Sequence, residues 1–424
     1  MLEACAAEPF IRKREVDSNS AIFYLSPEFS SKYCRKYFQI SYPEDLDLKS
    51  LPSSIVDIPV ITNTIAVIWL SGNEYSIEEM DEDLYASLIK IKSFFKRFFY
   101  NTSWEGELKP KRLVKNVLTK KSSQAAALFT GGLDSTTTAL RHLEEELILL
   151  SFNDPHKTAV EFSKIHHLDL YTIHANYSDF LKYAELDRVS CDISKWFWDT
   201  TMGLSWVGMA APFLYAKGIS VLYIPSGFTW RSFIFPDGQT LEQPASPLID
   251  ENLSPCELRV WHDVFTMTRV DKTKFISTFC SERNLPKPHL VVCNHHRRGD
   301  QSYSHCNGCM KCLLTMLGIL AVGEDLQEYG FTLSDPEFMA RFTSFLDNLK
   351  MRRGGTYDAC RDAQTYIRQH IDHLPADRRS FYEWFISLDL WARVDKSSNR
   401  PLRDCPFSWS DYQDLYPGVE CYVD

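Results

Sequence analysis

The stretch Ala125-Ala126-Ala127-Leu128-Phe129-Thr130-Gly131-Gly132-Leu133-Asp134-Ser135-Thr136-Thr137-Thr138-Ala139-Leu140 constrains this chain more than any other. It reads as a short apolar strand, a two-glycine turn and a hydroxyl-rich helix start. Gly131 and Gly132 can take backbone angles that a Cβ forbids, so main-chain N–H groups can close on an anion. Ser135 and Thr136 fall where an N-cap hydroxyl is expected, and the helix N-terminus adds partial positive charge. Asp134, beside that anion site, is read as a ligand for a phosphate-bound Mg²⁺. Phe129, Thr130, Gly131, Gly132, Leu133, Asp134, Ser135 and Thr136 together form a pyrophosphate cradle. No Gly-Lys-Ser/Thr follows the glycines, so the cradle is not of the Walker type.

The flanking pattern predicts an α/β fold built on a doubly wound parallel sheet. Leu147–Phe152 reads as a buried strand, Lys157–His167 as a helix and Leu168–Ile173 as the next strand. Ligands of such sheets lie at the carboxyl ends of the strands. Asn153, Asp154 and His156 follow the second strand and fall near that edge. Trp196–Lys217 reads as a close-packed helix, and Ser220–Pro225 as a further strand. That strand delivers Ser226-Gly227-Phe228-Thr229-Trp230-Arg231-Ser232 to the same edge. Glycine for close approach, aromatics for stacking and an arginine for an anion make Ser226, Gly227, Phe228 and Arg231 the substrate-binding candidates. A plain turn with core aromatics explains the segment equally well. Ser246–Asp250 reads as a strand end, and Val260–Asp263 follows it. Arg269 and Lys272, at a helix start, are candidates for neutralising charge on departing pyrophosphate.

Residues 1–110 read as a small α+β domain without recognisable chemistry. Ala21–Leu25, Phe38–Tyr42 and Ile65–Leu70 are expected strands, and Glu79–Tyr100 is an expected helix. Residue 2 is Leu, so no N-terminal Cys nucleophile is present for a glutaminase. Residues 121–325 form the cradle domain, and residues 326–424 a helical extension. In that extension Phe338, Phe342, Phe345 and Leu349 recur at helical spacing, as do Phe381, Trp384, Phe385, Leu388 and Trp391. A core stripe is the first reading, and a docking surface for a partner the second.

The formal charge of −10 argues against a general phosphate-seeking surface for nucleic acid. Local basic runs at Lys109–Arg112, Lys120–Lys121, His295–Arg298 and Arg352–Arg353 read as solvated faces. Neither a signal peptide nor a membrane span is expected, which places the chain in the cytoplasm. In that compartment the 12 cysteines should be thiols or metal ligands. Cys293, Cys306, Cys309 and Cys312, the last three in C-x-x-C-x-x-C spacing, suit a tetrahedral, structural Zn²⁺. His295, His296 and His305 are substitute ligands if Cys293 is not one.

The Thr130-Gly131-Gly132-Leu133-Asp134-Ser135 run resembles the PP-loop of the ATP pyrophosphatases, with Thr130 in place of the first Ser. A PP-loop followed in one domain by Cys-x(n)-Cys-x-x-Cys-x-x-Cys is similar to the QueC (7-cyano-7-deazaguanine synthase) family. Ser226-Gly227-Phe228 through Arg231 resembles a Ser-Gly-Tyr-Pro-Asp-Cys-Arg segment of that family, one residue shorter and without the Asp. The resemblance covers roughly residues 121–325, and the longer chain looks more like the QueC-like proteins of bacterial anti-phage operons, in the Qat system and type IV CBASS. It implies a HUP-like PP-loop fold, with ATP, Mg²⁺ and Zn²⁺. It also implies an AMP- and pyrophosphate-forming ligase that adenylates a 7-carboxy-7-deazaguanine-type carboxylate. The acceptor would be an amine, expected to be the N-terminus of a protein partner encoded in the same operon. Two alternatives stand beside it: a nitrile synthase that uses ammonia, and a non-catalytic, zinc-stiffened binding protein.

Overall fold

The central strands carry apolar side chains at successive positions because both faces of their sheet are covered. A computed structural model describes residues 7–190, 193, 195–227, 229, 247–293, 305–348 and 356–394 of the protein. Its strands are β1 (Glu8–Pro9), β2 (Ile11–Val16), β3 (Ser20–Leu25), β4 (Phe38–Ser41), β5 (Glu74–Asp81) and β6 (Glu107–Val114). They continue with β7 (Ala126–Leu128), β8 (Ile148–Phe152), β9 (Asp169–Ala175), β10 (Val221–Pro225) and β11 (Arg259–Asp263). Around β7, Ala125, Ala127 and Phe129 enter one core while Ala126 and Leu128 enter the other. Leu147 and Leu149 alternate in the same way with Ile148 and Leu150 around β8.

The large sheet has the order β11-β10-β7-β8-β9-β4-β3-β2. From β11 to β9 every pairing is parallel. The chain winds outward from β7 through β8 and β9, then returns to β7's other side for β10 and β11. The winding direction therefore reverses between β7 and β10, the place where open parallel sheets form their ligand crevice, at the strands' carboxyl ends. Helices Leu133–Arg141, Arg269–Glu282 and Met310–Ala321 pack on one face, and Ile58–Ser71 and Met202–Lys217 on the other.

The N-terminal segment extends this sheet. β2, β3 and β4 form an antiparallel run that joins β9 through the Ile40↔Ala175 pairing. β1, β5 and β6 form a separate parallel sheet of three strands. The expected strand at Ile65–Leu70 is instead the second half of the helix Ile58–Ser71. Its β-branched residues are buried on every side, so packing outweighs their strand preference. Asn63, inside that helix, accepts a 2.8 Å hydrogen bond from Ser205 on the neighbouring helix. The expected strand end before Asp250 is a helical turn, Pro247–Asp250.

In the C-terminal extension, helices Asp335–Asn348 and Arg379–Ser387 bury Phe338, Phe342, Phe381 and Phe385 in the core that also holds Met310–Ala321. These four are core, as first read; Phe345, Trp384 and Leu388 pack partly buried against it, Trp391 is exposed, and Leu349 lies outside the described residues. The basic run on β6 is paired across the sheet: Lys109 with Glu74 at 2.6 Å, Lys111 with Glu78 at 2.6 Å, and Arg112 with Glu79. Among the described residues no helix is long and apolar enough to cross a membrane.

Candidate functional site

The turn after β7 takes the shape its glycines allow. Gly131 has φ +76°, a region that L side chains rarely adopt. Gly132 is the N-cap of helix Leu133–Arg141, and no side chain caps that helix. Ser135 and Thr136, expected at the cap, lie instead in the helix's first turn. The Ser135 hydroxyl braces the turn, accepting from the Thr130 N–H at 3.3 Å and donating to the Gly132 carbonyl at 3.3 Å. The helix's first N–H groups thus have no side-chain acceptor, and Thr130 is exposed beside them.

Asp134 and Lys272 meet at the mouth of the crevice. Lys272, on helix Arg269–Glu282, donates to Asp134 Oδ1 at 2.7 Å and to the Ser226 carbonyl at 2.6 Å. Its side chain is 1% exposed, against 27% for Asp134. One ammonium therefore ties the loop after β7 to the loop after β10, across the point where the winding reverses. Helix Arg269–Glu282 starts where it does because Thr268 and Asp271 form a reciprocal capping box. That cap fixes Lys272 on the first turn and a half, facing the sheet.

Burial acts to raise the Asp134 carboxyl, but the charges of Lys272, Arg269 and Lys311 outweigh it and hold the group below its ordinary range. Burial lowers Lys272 below the usual ammonium value, with Asp134 opposing. Arg269 is anchored by a 3.2 Å hydrogen bond to Thr315 on helix Met310–Ala321. The arrangement is one carboxylate among three cations at an uncapped helix N-terminus. It can accept a polyanion, and among the described residues only Oδ1 of Asp134 is hydrogen-bonded, which leaves Oδ2 for a cation.

The four cysteines come together. The sulfurs of Cys293, Cys306, Cys309 and Cys312 all lie within 4.8 Å of one another. A tetrahedron with Zn–S bonds of about 2.3 Å has sulfurs about 3.8 Å apart, so the set fits a single ion. The Cys309 N–H donates to Cys306 Sγ at 3.2 Å. Burial works against it, yet the backbone N–H groups of Gly308 and Cys309, with the Cys293 and Cys309 thiols, bring Cys306 down to about 6. Burial pushes Cys312 up, in the same direction as its thiol neighbours. Four sulfurs would fill the coordination of a tetrahedral ion and leave no position for substrate. This site abuts the loop: the Val291 N–H donates to the Gly131 carbonyl at 2.7 Å, two residues before Cys293.

Ser226 and Gly227 lie at the crevice, with a Cβ built on Gly227 falling 3.8 Å from Asp134 Oδ2. Phe228 and Arg231 lie outside the described residues, as do His295 and His296. His305 stacks on Phe331 at 4.0 Å and bonds the Gly330 carbonyl at 3.1 Å. Asn153 and His156 have structural duties. Asn153 accepts from the Ala175 N–H at 3.0 Å, and His156 caps helix Lys157–Ile165.

Sequence reasoning missed Lys311, His262 and Asp250. Lys311 is exposed, one residue before the last cysteine, and its charge acts on Asp134. His262 lies at the carboxyl end of β11, in register with Ile224, two residues before Ser226. Its Nε2 is 2.7 Å from Asp250 Oδ2. A His in the short apolar run Val260–Asp263, downstream of the candidate loop at Ser226, was the available signal. Against protein-family models, curated proteins and solved structures the chain matches nothing, so the functional reading rests on this site and on the motifs that compose it.

Proposed function

We propose that the chain is an ATP-dependent ligase. It adenylates the carboxylate of a 7-carboxy-7-deazaguanine-type acid and transfers the acyl group to an amine, releasing AMP and pyrophosphate. The observation that carries this reading is the contact of Lys272 with Asp134 and with the Ser226 carbonyl at the start of the helix that follows Gly132, where the sheet changes winding direction. Asp134 and Lys272 are the residues that the PP-loop resemblance assigns to this role, which supports the reading.

In this reading the N–H groups of the loop and helix start cradle the β and γ phosphates. Lys272 and Arg269 face the charge that builds as pyrophosphate departs, in a pocket where burial makes each contact stronger than in water. Mg²⁺, held through Asp134, would add charge neutralisation on the phosphate oxygens. Ser226 and Gly227 bring the acid against the α-phosphate, and the Lys272 bridge keeps the two loops in fixed register. Zn²⁺ is the ion proposed for the cysteine set, where it would stiffen the 291–293 segment that holds Gly131.

The amine is proposed to be a protein N-terminus, in an anti-phage setting, on the strength of the resemblance and of the chain's length beyond the cradle domain. The buried aromatic residues of the tail are not the presenting surface. A non-catalytic binding protein has no use for a buried lysine held against a carboxylate at a phosphate cradle. The test is carboxylate-dependent formation of AMP and pyrophosphate from ATP. ADP as product, or turnover indifferent to the acid, would overturn the reading.

A further inference from the structure

Behind Ser226 lies a second hydrogen-bonded chain that the loop contacts do not require. The Ser226 hydroxyl is 3.4 Å from His262 Nδ1, and His262 Nε2 is 2.7 Å from Asp250 Oδ2. All three are buried, at 3%, 6% and 1% exposure. They come from the loop after β10, the end of β11 and the turn Pro247–Asp250, three separate segments converging beside the crevice.

We propose that Ser226, His262 and Asp250 form a proton-accepting relay for the amine-transfer step, an inference that rests on the ligase reading above. Two features separate the relay from ordinary core polarity. Asp250 Oδ1 is buried with no hydrogen-bond partner among the described residues. Space for it exists only because residue 203 is Gly, since a Cβ there would lie 1.9 Å from that oxygen. The chain thus keeps a carboxylate whose one hydrogen bond is to an imidazole, at the expense of stability.

Among the described residues, these groups face His262. Asp250 and Ser226 take its two ring nitrogens, and Glu251 Oε1 accepts its backbone N–H at 2.7 Å. Asp263, the next residue, is engaged by Arg141 and His142. Lys272 lies beyond Ser226, on its carbonyl. Burial raises the Asp250 carboxyl above its ordinary range, and the His262 bond opposes that rise. A proton arriving on the imidazole therefore creates a charge that Asp250 is placed to pair.

The step balances as follows. The amine nitrogen attacks the acyl carbon of the acyl-adenylate, forming the C–N bond. The C–O bond to AMP breaks, and its electron pair leaves on the AMP oxygen. The surplus N–H proton passes to Ser226 Oγ while the Ser226 proton passes to His262 Nδ1. Ser226 touches the reacting nitrogen. His262 and Asp250 are positioning residues that act through it.

The experiment forms the acyl-adenylate from ATP and 7-carboxy-7-deazaguanine. It then follows single-turnover transfer to ammonia by mass spectrometry, from mildly acid to alkaline pH and with each rate divided by the free-ammonia concentration, in the wild type, His262→Gln and Ser226→Ala. The wild-type rate per free ammonia should rise from the acid side and then level off. In both variants the plateau should vanish, the rate should climb with hydroxide, and near neutrality it should fall about a hundredfold. Variants that keep the wild-type profile with uniformly scaled rates would overturn the relay. Ser226→Ala alone decides if His262→Gln does not fold. A wild type that makes no AMP in an acid-dependent way overturns the ligase reading itself, and the relay with it.

Discussion

Replacing Asp134 by Asn should uncouple a buried ion pair, and the size of the effect follows from where the two charges sit. Lys272 is 1% exposed and has two acceptors, Asp134 Oδ1 at 2.7 Å and the Ser226 carbonyl at 2.6 Å. Removing one partner of a buried pair costs about 3–5 kcal/mol, because the other charge is left uncompensated. Asn keeps an acceptor oxygen and Ser226 remains, so we expect the lower end, about 3 kcal/mol. Lys272→Met leaves a carboxylate that is 27% exposed and can hydrate, together with one unmet carbonyl, for a loss of about 2 kcal/mol. The double variant should lose no more than about 3 kcal/mol, which gives a coupling of about 2 kcal/mol. A domain stable by about 5–15 kcal/mol survives all three changes. The assay is urea unfolding near neutral pH. Because the Asp134 carboxyl is held below its ordinary range, the pair's stabilisation is complete above about pH 4 and is lost as pH falls through the depressed value. Coupling under about 0.5 kcal/mol would refute the reasoning, since distant or independent sites add to that accuracy.

Three further outcomes are expected. Gly131→Ala forces a side chain to φ +76°, so stability should drop by about 1–2 kcal/mol and ATP binding should weaken; unchanged binding by calorimetry would contradict the cradle. Elemental analysis should find about one zinc per chain, and Cys309→Ser should lower both metal content and melting temperature. Chelation should also loosen the Val291–Gly131 bond, read as faster amide exchange at Val291. Burial pushes Asp57 up to about 7, with Arg14 opposing, so its folded value lies above its unfolded one. Its contribution is therefore complete below about pH 4 and is lost as pH rises through about 7; wild-type stability minus that of Asp57→Asn should fall across that window, and a flat difference would contradict the assignment.

Much of the central sheet was legible in the sequence because its strands are short, apolar and bounded by turn residues, as at Leu147–Phe152 and Ser220–Pro225. The Ile65–Leu70 helix was not, because a helix buried on all sides shows no amphipathic period and its Ile and Val content mimics a strand. The loop glycines and the cysteines were legible because their chemistry depends on close spacing along the chain. Lys272 could be found only as a cation at a helix start, since its meeting with Asp134 depends on parallel strands distant in sequence. Asp250 and His262 were harder still. Each is unremarkable alone, and the turn after residue 246 brings them together only once β11 has paired with β10. The cap at Gly132 escaped because the hydroxyls that follow it are good caps by composition and brace the turn from inside instead.

The most direct test of the central claim follows an oxygen atom. 7-Carboxy-7-deazaguanine labelled with ¹⁸O in its carboxylate is incubated with the full chain, ATP, Mg²⁺ and an amine, and the nucleotide product is analysed by ³¹P NMR and mass spectrometry. Attack of the carboxylate on the α-phosphorus, followed by amine attack on the acyl carbon, leaves one carboxylate oxygen on AMP. The account predicts AMP carrying that label, in amounts equal to the acyl–amine product. Unlabelled AMP, or ADP and phosphate in its place, would contradict it.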